Sequence, residues 1–158
     1  MNQDLPGINL PQSTIMNTEK VWYVTGASQG LGLTIVKSLL KTGHRVAATT
    51  RNEEKLSDAV GIYDIDRFLP IEIKAYDARR IDESIQQTLT HFGRIDVIVN
   101  NAGYGMAGTV EEITEEKVRD IFDVNTLATI SVVKSVLPIM RRQRSGYIIN
   151  IGSIAENV

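Results

Sequence analysis

No cysteine occurs among the 158 residues. That excludes disulfides, thiolate metal sites and a cysteine nucleophile, and it assigns no compartment. No unbroken stretch of about 18 apolar residues is present, which argues against a membrane span. The N-terminus has no basic start followed by an apolar core, so it does not read as a secretory signal. With no targeting signal, the default expectation is the cytoplasm. Net charge is only −2, and no basic surface advertises nucleic acid. His44 and His91 stand apart and read as surface residues. No His, Asp or Glu cluster has metal-ligand spacing, so no metal is expected. Solenoid-type repeats and low-complexity tracts are missing too.

What is there is an ordinary globular composition, 42% hydrophobic and 23% charged, in a length that suits one domain. Residues 1–19 carry Pro6, Gly7 and Pro11 among mostly polar neighbours. They are expected to form a flexible tail, or an arm that wraps a partner. From residue 20 to 158 the pattern alternates. Val21-Trp22-Tyr23-Val24 has strand length and runs into glycines. Leu31, Ile35, Val36, Leu39 and Leu40 then recur at helical spacing up to Gly43. His44 to Thr50 reads as a second strand, and Asn52 as the cap of a helix through Ser57 and Val60. Ile71 to Tyr76 reads as a third strand. Ile81, Ile85, Leu89 and Phe92 mark an amphipathic helix closed by Gly93. Ile95 to Val99 is continuously apolar, as a buried parallel strand is. Thr114 to Arg144 reads as one long helical region, capped by Thr114 and bent at Pro138. Tyr147 to Ile151 reads as a fifth strand. Alternating strands and helices imply an α/β fold, a Rossmann-like doubly wound parallel sheet.

Three segments carry chemistry. Thr25-Gly26-Ala27-Ser28-Gln29-Gly30-Leu31-Gly32 lies between the first strand and first helix. Gly26 permits a tight turn, Gly30 lets backbone approach a phosphate, and Gly32 lets helix and strand pack closely. The helix start offers free N–H groups and a positive dipole end to a pyrophosphate. Asn100-Asn101-Ala102-Gly103 follows the fourth strand at its carboxyl end, where open α/β sheets bind ligands. At the end of strand two, Thr49-Thr50-Arg51-Asn52 offers no carboxylate to hold ribose hydroxyls. Arg51 instead presents a guanidinium suited to a 2′-phosphate. That predicts NADP (NADPH) in preference to NAD. The alternative is a solvated loop charge. Two charged runs, Arg141-Arg142-Gln143-Arg144 and Glu111-Glu112 with Glu115-Glu116, read as solvated helix ends.

These motifs, in this order and at these positions, resemble the short-chain dehydrogenase/reductase family. The resemblance covers Val21 to Val158. It implies hydride transfer between nicotinamide and a carbonyl or alcohol carbon of a small molecule, with substrate and direction left open. It also implies cofactor binding by Gly26, Ser28, Gln29, Gly30, Leu31, Gly32, Arg51, Asn100, Ala102 and Gly103. Asp77 matches the family's adenine contact, with a helix N-cap as the plain reading. Asn125 matches an asparagine at a helix kink that helps hold a water in a proton relay. Ser153, in Ile151-Gly152-Ser153, matches the serine that orients substrate and tyrosine. Family members assemble through the long helix, here around Ser131 to Arg142, so a homo-oligomer is expected.

The general acid does not follow. The family uses a tyrosine with a lysine four residues later, which lowers the tyrosine pKa toward neutrality. The positions four after Tyr23, Tyr63, Tyr76, Tyr104 and Tyr147 hold Ala27, Arg67, Arg80, Gly108 and Ile151. Family spacing places the pair just past Val158. The expectation is therefore a domain truncated after strand five, inactive alone, with Tyr147, Ile148, Ile149 and Ile151 on an exposed apolar edge. Either the natural product is longer or a partner covers that edge. A non-catalytic nucleotide-binding or protein-interaction module is the alternative function.

Overall fold

The computed structural model describes residues 19–152. Strands β1 (Val21–Val24), β2 (Arg45–Thr50), β3 (Phe68–Glu72), β4 (Val97–Asn100) and β5 (Tyr147–Asn150) alternate with helices. The helices are α1 (Gly30–Lys41), α2 (Glu53–Val60), α3 (Ala78–Phe92), α4 (Glu115–Phe122) and α5 (Ala128–Gln143). A π-helical turn, Asp123–Leu127, joins α4 to α5. The five strands form one sheet in the order β3-β2-β1-β4-β5, and every pairing is parallel. The chain reverses its direction of travel across the sheet between β1 and β4, which opens a crevice at their carboxyl ends.

Alternation along β1 builds the two layers. Val21 and Tyr23 point to one face, joining Ile85, Ile98, Val132, Val136 and Ile139 beneath α3 and α5. Val24, with Trp22 beside it, points to the other, joining Val36, Val46, Leu56 and Phe68 beneath α1 and α2. Both faces are covered, so the central strands are apolar throughout. Tyr23 is fully buried, with its hydroxyl 2.6 Å from Ser84 Oγ. Burial pushes its phenol above the usual tyrosine range, only partly offset by the Ser84 hydrogen bond.

Two elements depart from the sequence expectation. Strand β3 covers Phe68–Glu72 rather than Ile71 to Tyr76. Its register begins with Phe68 opposite Val46 and ends with Glu72 opposite Thr50, where β2 itself stops. Phe68 sets the start, because its ring is buried and packs edge-on against Tyr63 at 4.5 Å. Pro70 fits because β3 is an edge strand. The second departure is in the long helix. Its irregularity is the π-helical turn at Asp123–Leu127, not Pro138, which lies inside α5. Pro138 and Lys134 are both exposed. The carbonyl that lost its partner therefore faces water and the helix continues.

Residues 1–18 of the expected tail lie outside the described residues; Glu19 pairs with Arg45 at 2.8 Å. Taken together, Glu115–Gln143 has the length and composition of a membrane span, with a mean hydropathy of 1.2. Part of its apolar side enters the core through Val132, Val136, Ile139 and Met140. Val118, Phe122, Leu127 and Ile130 remain exposed. On β5, Tyr147, Ile149 and Ile151 are exposed as well, and β5 pairs only with β4 among the described residues.

Candidate functional site

The crevice is built on Thr25, the residue that ends β1. Its backbone N–H donates to Val99 O at 2.9 Å, carrying the sheet ladder one step further. Its hydroxyl accepts two backbone N–H groups, from Asn101 and from Ala102, each at 2.9 Å. Asn101 answers with its side chain. Its Nδ2 donates to Thr25 O and to Gly26 O, both at 3.0 Å. The glycine loop after β1 and the Asn-Asn-Ala-Gly segment after β4 are thus one hydrogen-bonded unit.

The glycines show why this unit tolerates no side chain. Gly26 has φ +66°, and a Cβ there would stand 2.7 Å from Ala102 Cα. Backbone cannot yield as a flexible side chain does, so the position is closed to other residues. A Cβ on Gly32 would meet Gly26 O and Asn101 Nδ2. Gly32 is therefore small to admit the loop and Asn101, a closer partner than the strand expected from the sequence. Gly30 has φ +57° and faces open space. Ser28 is half-buried in the turn, and Leu31 is 54% exposed at its mouth.

Helix α1 starts without a side-chain cap at Gln29. Helices α2, α3 and α4 are capped by Asn52, Asp77 and Thr114. The first N–H groups of α1 are thus left for another acceptor, at the positive end of the helix dipole.

Asp77 caps α3, its Oδ1 accepting from Arg79 N at 2.8 Å and Arg80 N at 3.3 Å. The plain reading of this residue is therefore realised. Arg51 follows β2 at its carboxyl end and is exposed. No hydrogen bond or ion pair engages its guanidinium among the described residues. Asn100, at the end of β4, donates from Nδ2 to Asn150 Oδ1 across the sheet at 2.8 Å. Gly103 lies against Asn125, whose Oδ1 would be 3.3 Å from a Cβ there.

Asn125 sits in the π-helical turn and is exposed rather than buried. Its amide spans the backbone of Tyr104. Oδ1 accepts from Tyr104 N at 3.1 Å, and Nδ2 donates to Tyr104 O at 2.9 Å. A π turn adds a residue to the helix and is common where a side chain must be re-aimed. Here it carries the amide that holds the loop after β4. Ser153 lies outside the described residues. The sequence reading gave no part to Asn101, Thr25 or Asn150 individually. Thr25 opens the glycine motif and Asn101 is the second asparagine of its own, yet their contacts span about 75 residues and no local pattern announces them.

A family model described as short chain dehydrogenase matches residues 20–158. The chain is 35% identical to Oxidoreductase BOA17 of Botryotinia fuckeliana over 139 residues, which cover 88% of this chain and 51% of that protein. It thus spans about half the length of curated relatives it matches. Among solved structures, a metagenomic short-chain oxidoreductase in complex with NADP superposes with TM-score 0.77 at 31% identity, covering 86% of this chain and 63% of that one. A 3-ketoacyl-(acyl-carrier-protein) reductase of Brucella melitensis, complexed with NADH, gives TM-score 0.75 at 25% identity, covering 85% and 57%.

Proposed function

The chain belongs to the short-chain dehydrogenase family, and from that premise we propose that it is the cofactor-binding part of an NADP-dependent oxidoreductase. When bound, the nicotinamide supplies a hydride donor or acceptor for a carbonyl or alcohol carbon of a small molecule. This chain's own residues bind and orient. Gly26, Ser28, Gln29, Gly30, Leu31 and Gly32 form the loop whose backbone receives the pyrophosphate. Asn100, Ala102 and Gly103 flank it, and Asp77 keeps one carboxylate oxygen beyond its capping bonds for the adenine side. Asn125 takes part in the proton relay, and Ser153 faces the substrate. A homo-oligomer is the expected assembly.

The observation that carries the reading is α1, the one long helix without a cap, starting over a loop packed backbone-to-backbone on Ala102. NADP over NAD rests on Arg51, an unengaged guanidinium at the place where an acidic residue would select NAD. The solved neighbours divide on this point, so the test is direct. Arg51→Asp is expected to weaken NADPH binding roughly tenfold or more, which is about 1.4 kcal/mol, and to narrow the gap to NADH. Arg51 holds nothing else, so the melting temperature should not move. Unchanged NADPH affinity would remove the assignment.

Within residues 1–158 no tyrosine is followed four positions later by lysine. Tyr23, the tyrosine nearest the loop in sequence, is sealed in the core with its phenol pushed above the ordinary range and cannot serve as an acid. We therefore expect the 158-residue chain to bind cofactor without turning over substrate. The same observation favours a second reading, a non-catalytic nucleotide-binding or interaction module. Reduction of any carbonyl by this chain with NADPH would exclude that second reading and refute the missing-acid argument.

A further inference from the structure

The loop joining β4 to α4, residues 101–114, leaves the crevice with its first residues fixed to the glycine loop. Its next part is fixed as well. Asn125 holds both backbone groups of Tyr104. At the tip, Glu112 accepts from Thr109 N at 3.3 Å and donates its own N–H to Thr109 O at 3.1 Å. Between these anchors stand Tyr104, 47% exposed, Met106, half-buried, and Val110, 87% exposed. From Ala102 to Val110 there is no charged side chain. From Glu111 to Asp123 there are six carboxylates against Lys117 and Arg119, and Arg119 is turned toward Glu115 at 3.7 Å.

Anchored backbone with exposed apolar side chains is a preformed surface, and apolar surface beside a ligand crevice is energetically useful only when something covers it. The surrounding carboxylates select what that is. A substrate carrying its own carboxylate or phosphate would be desolvated next to like charge, which disfavours it.

On the reading that this crevice binds a nicotinamide cofactor, we infer that residues 102–110 form the wall for an uncharged, apolar carbonyl substrate and turn anionic ones away. Tyr104, Met106 and Val110 cover the hydrocarbon body. The acidic run beyond them excludes a carboxylate at the far end.

The test compares acetophenone with 4-acetylbenzoate, which share ring and ketone and differ by one carboxylate. The full 158-residue chain is labelled on its methionine methyls, with and without NADPH. Met106 reports on the wall, and Met140, in the core, is the internal reference. Met106→Leu assigns the signal. Acetophenone should shift the Met106 methyl saturably and leave Met140 in place. 4-Acetylbenzoate should bind roughly tenfold more weakly or worse. Val110→Lys, at an exposed position, should close that gap by attracting the carboxylate. A Met106 methyl that ignores acetophenone, or equal binding of the two ketones, overturns the inference whether or not NADPH binds. Absence of NADPH binding, followed by its own fluorescence on the same sample, overturns the function reading whether or not Met106 moves.

Discussion

Replacing Thr25 by valine removes one hydroxyl from the join between the glycine loop and the Asn-Asn-Ala-Gly segment and keeps the shape of the side chain. The hydroxyl accepts N–H groups from Asn101 and Ala102, each at 2.9 Å. Its own approach to Val99 O, at 3.5 Å, is too long to weigh much. Thr25 is 8% exposed, so water does not readily replace what is lost. Each stranded donor costs about 1–3 kcal/mol when buried. Asn101 and Ala102 are only half-buried, so the low end applies and the pair sums to about 2–3 kcal/mol. Against a total of roughly 5–15 kcal/mol for a domain, that is a large share. At about 3–4 °C per kcal/mol for a domain of this size, Thr25→Val should melt about 6–12 °C below the parent by circular dichroism. Thr25→Ser keeps the acceptor and should recover most of the loss. A valine variant melting within about one degree of the parent would refute the idea that Thr25 ties the two segments.

Further outcomes follow from the same structure. Gly26→Ala should destabilise the fold more than an exposed Gly→Ala change and abolish nucleotide binding, because the new methyl meets Ala102 backbone at a positive φ. Paired thermal melts and titrations check it. Tyr23 has its phenol pKa raised in the folded state, so its contribution is complete below the unfolded value near 10 and declines as pH rises past it. Tyr23→Phe should therefore flatten the alkaline limb of the stability–pH curve. Ser84 still donates to Ile81 O, so the cost at neutral pH should be about 1 kcal/mol. Asn125→Ala should release Tyr104, seen as loss of hydrogen-exchange protection at its amide, while global stability falls by about 1 kcal/mol.

The sequence made the local parts of the fold legible and left the long-range parts dark. Strand β1, the helices ended by Gly43 and Gly93, and the caps Asn52, Asp77 and Thr114 follow from residue type and period. Those signals act within a turn or two of chain. Strand β3 was misplaced because its bounds are set by the partner strand, ending opposite Thr50, and by the burial of Phe68. The helix irregularity was assigned to Pro138, the strongest local breaker. The π turn at Asp123–Leu127 instead accompanies a tertiary bond, the grip of Asn125 on Tyr104. The site divides the same way. Its glycines were readable one by one. That Gly26 and Gly32 are small because of Ala102 and Asn101 is a fact of packing across the sheet.

The central claim is that the uncapped start of α1 and the joined loops bind a nicotinamide dinucleotide. Titration of the 158-residue chain with NADPH, read by nicotinamide fluorescence and by energy transfer from Trp22, its single tryptophan, tests it most directly. The account predicts saturable binding with a Kd of about 0.1 mM or below, equivalent to roughly 5.5 kcal/mol, and weaker binding of NADH. A folded chain that shows no saturation with either cofactor would contradict it.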